Sequence, residues 1–173
     1  MSARGRAALA LLLAALAVGP ARADQAADLA QGKVYLRGGA DGWPRALALF
    51  DGAARQGSSA AAYYLALMHK NGMGTARDSA AAVRYLEAAA AAQLPAAMFV
   101  LANMLYGGDG VARDDAAARA WVEKAAALEY PAAALLMAQG LRDGTMGFGR
   151  DPERAEQQLR MAAHALRHRP AEP

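Results

Sequence analysis

His164 and His168 stand four residues apart, the spacing that puts two imidazoles on one face of a helix, where they could supply two ligands of a zinc or copper ion. Two ligands do not make a site. The chain has no cysteine, and only Glu156, Glu172 or an N-terminal amine could add a third donor. The pair is therefore read as a solvated helix end, with no metal assigned. The third histidine, His69, falls on the apolar side of its own segment. Ser58, Ser59 and Ser79 lie where helices should start and fit neither G-x-S-x-G nor S-x-x-K, so they read as caps rather than nucleophiles. Gly72-Met-Gly74 and Gly108-Asp-Gly110 suggest a phosphate loop at first sight. They follow helical patterns rather than strands and lack the Lys-Ser/Thr of a P-loop, so they read as turn glycines. Asp109, Asp114 and Asp115 cluster without the ligand pattern of a calcium loop. Met68, Met104, Met137 and Met161 recur at helical spacings that suit core filling. No catalytic constellation emerges, so no enzymatic activity and no cofactor are expected.

The elements that carry these residues repeat. Gly72-Met-Gly-Thr-Ala-Arg-Asp78 returns 36 residues later as Gly108-Asp-Gly-Val-Ala-Arg-Asp114. Each copy is followed at one distance by an aromatic and two alanines, Tyr85 with Ala89-Ala90 and Trp121 with Ala125-Ala126. A fixed period of this length marks a stacked helical array. A fourth unit follows with Met137-Ala138, Gly144, Asp151, Ala155, Leu159 and Ala162-Ala163, its loop one residue longer. A first unit, Gln31-Gly32, Tyr35, Gly38, Ala46, Leu49-Phe50 and Ala53-Ala54, has a shorter loop and no aspartate. Each unit reads as two helices. Pro95 and Pro131 open first helices, glycines end them, and Asp78, Asp114 and Asp151 cap second helices, with Pro44 starting the second helix of the first unit. The many alanines let helix axes approach closely.

Arg4 and Arg6 precede an apolar run from Ala7 to Val18, followed by Gly19-Pro20 and the triplet Ala21-Arg-Ala23. This is the pattern of a secretory signal peptide, residues 1–23, cleaved before Asp24. The repeat domain is expected over 24–168, with units at about 25–57, 58–93, 94–129 and 130–168, and residues 169–173 as a disordered tail. Removing Arg4, Arg6 and Arg22 leaves 16 Lys/Arg against 16 Asp/Glu, so the exported chain is formally neutral. Interspersed charges of zero sum give no electrostatic case for nucleic acid, and no later segment is apolar enough for an integral membrane span.

Leu101-Ala-Asn-Met-Leu-Tyr-Gly-Gly-Asp-Gly-Val111, Arg113-Asp114, Ala118, Trp121 and Glu123-Lys-Ala-Ala126 together resemble the Sel-one-like repeat, a relative of the tetratricopeptide repeat. The resemblance covers about residues 25 to 168. His69 and Leu105 depart from it where the family usually has tyrosine, which Tyr35 keeps. It implies an all-α, right-handed superhelical solenoid of about four antiparallel helix pairs. It also implies an adaptor that binds a protein or peptide partner, here periplasmic or secreted.

By similarity to tetratricopeptide units, the first helices line a concave groove, and the positions facing it select Lys33, Arg37, Tyr63, Lys70, Asn71, Asn103, Tyr106, Gln139 and Arg142 as partner-binding residues. The same positions include Leu29, Leu36, Leu67, Phe99, Leu135 and Asp143, of which the leucines and Phe99 equally suit packing between repeats. Aromatic, amide and basic groups together suit an extended peptide with an acidic side chain. The alternatives are a small periplasmic metal-binding protein using His164 and His168 and, weakened by the absent cysteines, a hydrolase.

Overall fold

The computed structural model describes residues 19–168, with side chains from Asp24 to Arg167. Most of the expected signal peptide and the whole expected tail lie outside these residues. Among the described residues there are eight helices and no strand. They are α1 (Gly19–Arg37), α2 (Trp43–Arg55), α3 (Ser59–Asn71), α4 (Ser79–Ala91), α5 (Pro95–Gly107), α6 (Asp115–Ala127), α7 (Pro131–Asp143) and α8 (Pro152–His168). Each helix packs on the one before it and the one after it, and most extensively on its partner in the pairs α1–α2, α3–α4, α5–α6 and α7–α8.

The punctuation is chemical. Asp78 Oδ1 accepts the Ala81 N–H at 2.8 Å, Asp114 Oδ1 that of Ala117 at 2.9 Å, and Asp151 Oδ1 that of Arg154 at 3.0 Å. Ser58 caps α3 in the same way. The second helix of the first pair has no side-chain cap; Pro44 fills its first turn after Gly42. Gly72, Gly108 and Gly144 end α3, α5 and α7 in the left-handed conformation. Each loop closes when the capping aspartate's own N–H donates back to the first helix, from Asp78 to His69 O, Asp114 to Leu105 O and Asp151 to Leu141 O, at 2.8–3.0 Å. A backbone carbonyl accepts there, which explains why histidine and two leucines are tolerated at one repeat position. Asp114→Ala should lower stability by about 0.5–2 kcal/mol; an unchanged urea midpoint would show that this cap contributes nothing.

Alanine makes the core. Ala53, Ala89, Ala125 and Ala162 recur at one position of the second helices and are all buried. Two apolar clusters run along the stack, one around Phe50 and Leu65 and one from Leu86 to Leu141, and Ala54 and Tyr85 touch both.

Two expectations are corrected. The loop insertion shifts α8 by one residue, so the place of Trp121 is taken by Gln158, half-buried with its Oε1 unpartnered, while Leu159 sits where Val122 does. Met161 is 40% exposed rather than buried. The same insertion repairs the fourth unit: Gly140 stands where Met68 and Met104 fill the other cores, and Phe148 from the longer loop closes on it. A Cβ on Gly140 would come within 2.5 Å of the Phe148 ring.

Candidate functional site

On α3 the buried residues are Ala61, Ala62, Leu65, Ala66 and Met68, and Tyr63, Lys70 and Asn71 fall on the arc they leave open. The same holds on α5 for Asn103 and Tyr106, and on α7 for Gln139 and Arg142. Lys33 is half-buried and Arg37 exposed on α1. Leu135, at the register of Tyr63 and Phe99, is 44% exposed. The selected residues from Lys33 to Arg142 thus lie on the arcs that the first helices leave unburied.

Several of these groups are held. Asn71 Nδ2 and Asn103 Nδ2 each donate to the carbonyl one turn back, Leu67 O and Phe99 O, both at 2.9 Å. Each amide oxygen is thereby fixed in orientation as an acceptor. Tyr63 meets Tyr64 edge-on at 5.5 Å, and Tyr64 stacks on Phe50 at 5.0 Å. Lys33 Nζ lies 5.5 Å from the Tyr64 ring and the Arg113 guanidinium 4.9 Å from that of Tyr106. Phe99 packs on Tyr130. Tyr64 and Arg113 thus lie against selected side chains although the repeat pattern does not select them. Arg113 belongs to the loop's Arg-Asp motif, and only its seven-residue distance from Tyr106 hints at the meeting.

The charged side chains at the selected positions are Lys33, Arg37, Lys70, Arg142 and Asp143, with Arg113 beside Tyr106. Arg113 is held in turn by Asp115, at 2.7 Å, a bond that lowers the Asp115 carboxyl below the ordinary aspartate range. Asp109 sits between loops: the Ser79 hydroxyl and then Arg77, at 3.2 Å, hold its carboxyl low as well.

Cavities lie elsewhere, between successive second helices. One of about 420 Å³ is lined by Met98, Trp121 and Lys124, with Lys124 Nζ over the indole at 4.3 Å. Its counterpart between α6 and α8, about 270 Å³, is lined by Ala134, Arg160, Met161 and His164. The His168 side chain lies outside the described residues. Among the described residues no three His, Asp or Glu side chains stand together in a group able to hold a metal ion. His69 is half-buried and stacks on Tyr85 at 5.5 Å, with its Nδ1 unpartnered. Among the described residues no helix is long and apolar enough to cross a membrane.

The Sel1 repeat matches the chain three times, over residues 59–94, 95–130 and 131–165. The fold is similar to that of a Sel1 repeat protein from Oxalobacter formigenes, with a TM-score of 0.74 and 26% identity over 82% of this chain and 58% of that one. It is also similar to a protective antigen of uropathogenic Escherichia coli with an SLR fold, with a TM-score of 0.75 and 30% identity over 90% of this chain and 33% of that one. The chain thus spans about three fifths and one third of these two proteins. No curated protein matches.

Proposed function

The chain belongs to the Sel1 repeat family, whose repeats mediate protein–protein interaction, and from that premise we propose that it is an exported adaptor holding an extended, acidic peptide segment of a partner against its first helices. The observation that carries this reading is the open arc repeated on α1, α3, α5 and α7, where aromatic rings, oriented amides and cations lie in register. The orientation of Asn103 by Phe99 O leaves its Oδ1 to accept a peptide N–H, and Lys33, Lys70 and Arg142 suit a carboxylate. The rings of Tyr63 and Tyr106 offer rigid apolar area at low entropic cost.

Export rests on the sequence of residues 1–23. Cleavage before Asp24 would trim α1, which begins at Gly19, to Asp24–Arg37; those 14 residues nearly equal the 13 of α2. N-terminal sequencing of the protein recovered from the envelope or medium should begin at Asp24, and an intact amino terminus would remove the export reading.

The groove is tested by replacing Tyr63, Asn103 and Tyr106 together with alanine. Capture of partners from a cross-linked envelope fraction should be lost while the thermal melt remains cooperative. Undiminished capture would mean that the partner binds another surface.

A further inference from the structure

The cleft of about 420 Å³ between α4 and α6 has an apolar floor and a charged mouth. Ala90 and Met98 are buried in it, Trp121 stands half-buried and Leu128 is exposed. Its polar lining residues, Gln93 and Lys124, are both exposed, and among the described residues no Asp or Glu lines it. Glu123, next to Lys124 in the chain, faces Arg119 at 4.0 Å instead. The Lys124 ammonium lies 4.3 Å from the Trp121 ring centre, an attraction that holds the charge at the cleft. The pair is no part of the repeat. Tyr85 and Ala88 occupy these two positions in α4, and Gln158 and Met161 occupy them in α8, so stacking the units does not require a cation over an indole. The volume falls within the range of about 300–1,000 Å³ usual for small-molecule sites.

We propose that this cleft binds a small amphipathic anion, an aliphatic chain ending in a carboxylate, with the chain against Ala90, Met98 and Leu128 and the carboxylate against Lys124. The lining dictates both halves of the ligand. An aliphatic chain removes the apolar walls from water without bringing a polar group that the floor could not satisfy. The carboxylate then finds a cation that no acidic residue of the cleft occupies, and the Gln93 amide can donate to it as well. Because Lys124 is exposed, the pair forms at the mouth, where the carboxylate keeps part of its hydration and escapes the cost of full burial. A cationic amphiphile would meet like charge there, and an uncharged one would forgo the ion pair. A single ammonium also suits one negative charge better than the two of a phosphate monoester. The site lies on second helices and is independent of the groove on the first helices.

Isothermal titration calorimetry of the purified protein with octanoate should show saturable binding, with 1-octanol, octylammonium and acetate each binding more weakly. Lys124→Met should weaken octanoate about tenfold or more and leave 1-octanol unchanged, whereas Lys124→Arg should retain octanoate. Ala127→Glu, at an exposed lining position, supplies the cleft with its own carboxylate and should abolish octanoate binding with the helical circular dichroism of the parent intact. Absence of saturable octanoate binding, equal affinity for 1-octanol, or undiminished binding by Lys124→Met or Ala127→Glu would overturn the proposal.

Discussion

Gly110→Ala is expected to destabilise the protein by about 2–5 kcal/mol, and Gly108→Ala, two residues away in the same loop, by only about 1–2 kcal/mol. Both glycines have positive φ, 69° and 75°, and both substitutions meet the steric penalty of a left-handed backbone. They differ in what stands beyond. A Cβ on Gly108 would find its nearest neighbour at 3.5 Å, an ordinary contact with Arg113. A Cβ on Gly110 would overlap the carbonyl carbon and oxygen of Ser79, the first residue of α4 in the preceding pair. Backbone cannot rotate aside as a side chain can, so either the loop or the helix start must move. Gly74 stands in the same relation to Trp43 at the start of α2, at 2.8 Å. The second glycine of each motif is therefore where one repeat rests on the previous one. Urea denaturation of the two variants measures the difference, and equal midpoints would show that the loop does not bear on the neighbouring helix.

Leu86→Ala should cost about 2–5 kcal/mol, because a fully buried leucine leaves a cavity that a close-packed helical stack cannot collapse around. Leu159→Ala changes the same residue type at the same repeat position and should cost roughly 1 kcal/mol or less, since water already reaches that side chain. The contrast is measured by thermal or urea unfolding of both variants at one low concentration. Comparable losses would mean that Leu159 is as well packed as Leu86.

The helices were largely legible in the sequence, for local reasons. Pro95, Asp78, Asp114, Asp151 and the loop glycines act on backbone groups within a few residues of themselves, so their consequences can be worked out along the chain. The third unit illustrates this, with α5 opened by Pro95 and closed at Gly108, and α6 capped by Asp114. The fourth unit was legible only in outline. Its extra loop residue was visible, but the register it imposes on α8 was not, and Leu159 was matched to Trp121 where Gln158 belongs. Met161 failed for a related reason. Helical spacing states which residues share a face but not whether another helix covers it. Two further left-handed turns, at Gln93 and Glu129, were not foreseen, because neither residue type signals positive φ.

Of the candidate surface, the repeat register supplied Tyr63, Asn103 and Tyr106 through their distance from the Leu-Ala pairs, and missed Tyr64 and Arg113. Those two enter through contacts between elements, Tyr64 by stacking on Phe50 of α2 and Arg113 by folding back from the loop over Tyr106.

The sequence by itself determined the period, the two helices in each unit, their caps and their apolar faces, because each follows from hydrogen bonds and side-chain spacing within about one turn. Only the tertiary structure decided which glycine carries the contact between repeats, that Phe148 fills the space left by Gly140, and that Leu159 lies open where Val122 is sealed. Those outcomes depend on what a neighbouring unit places within a few ångströms, and residues as distant as Ser79 and Gly110 become neighbours only when the helices stack.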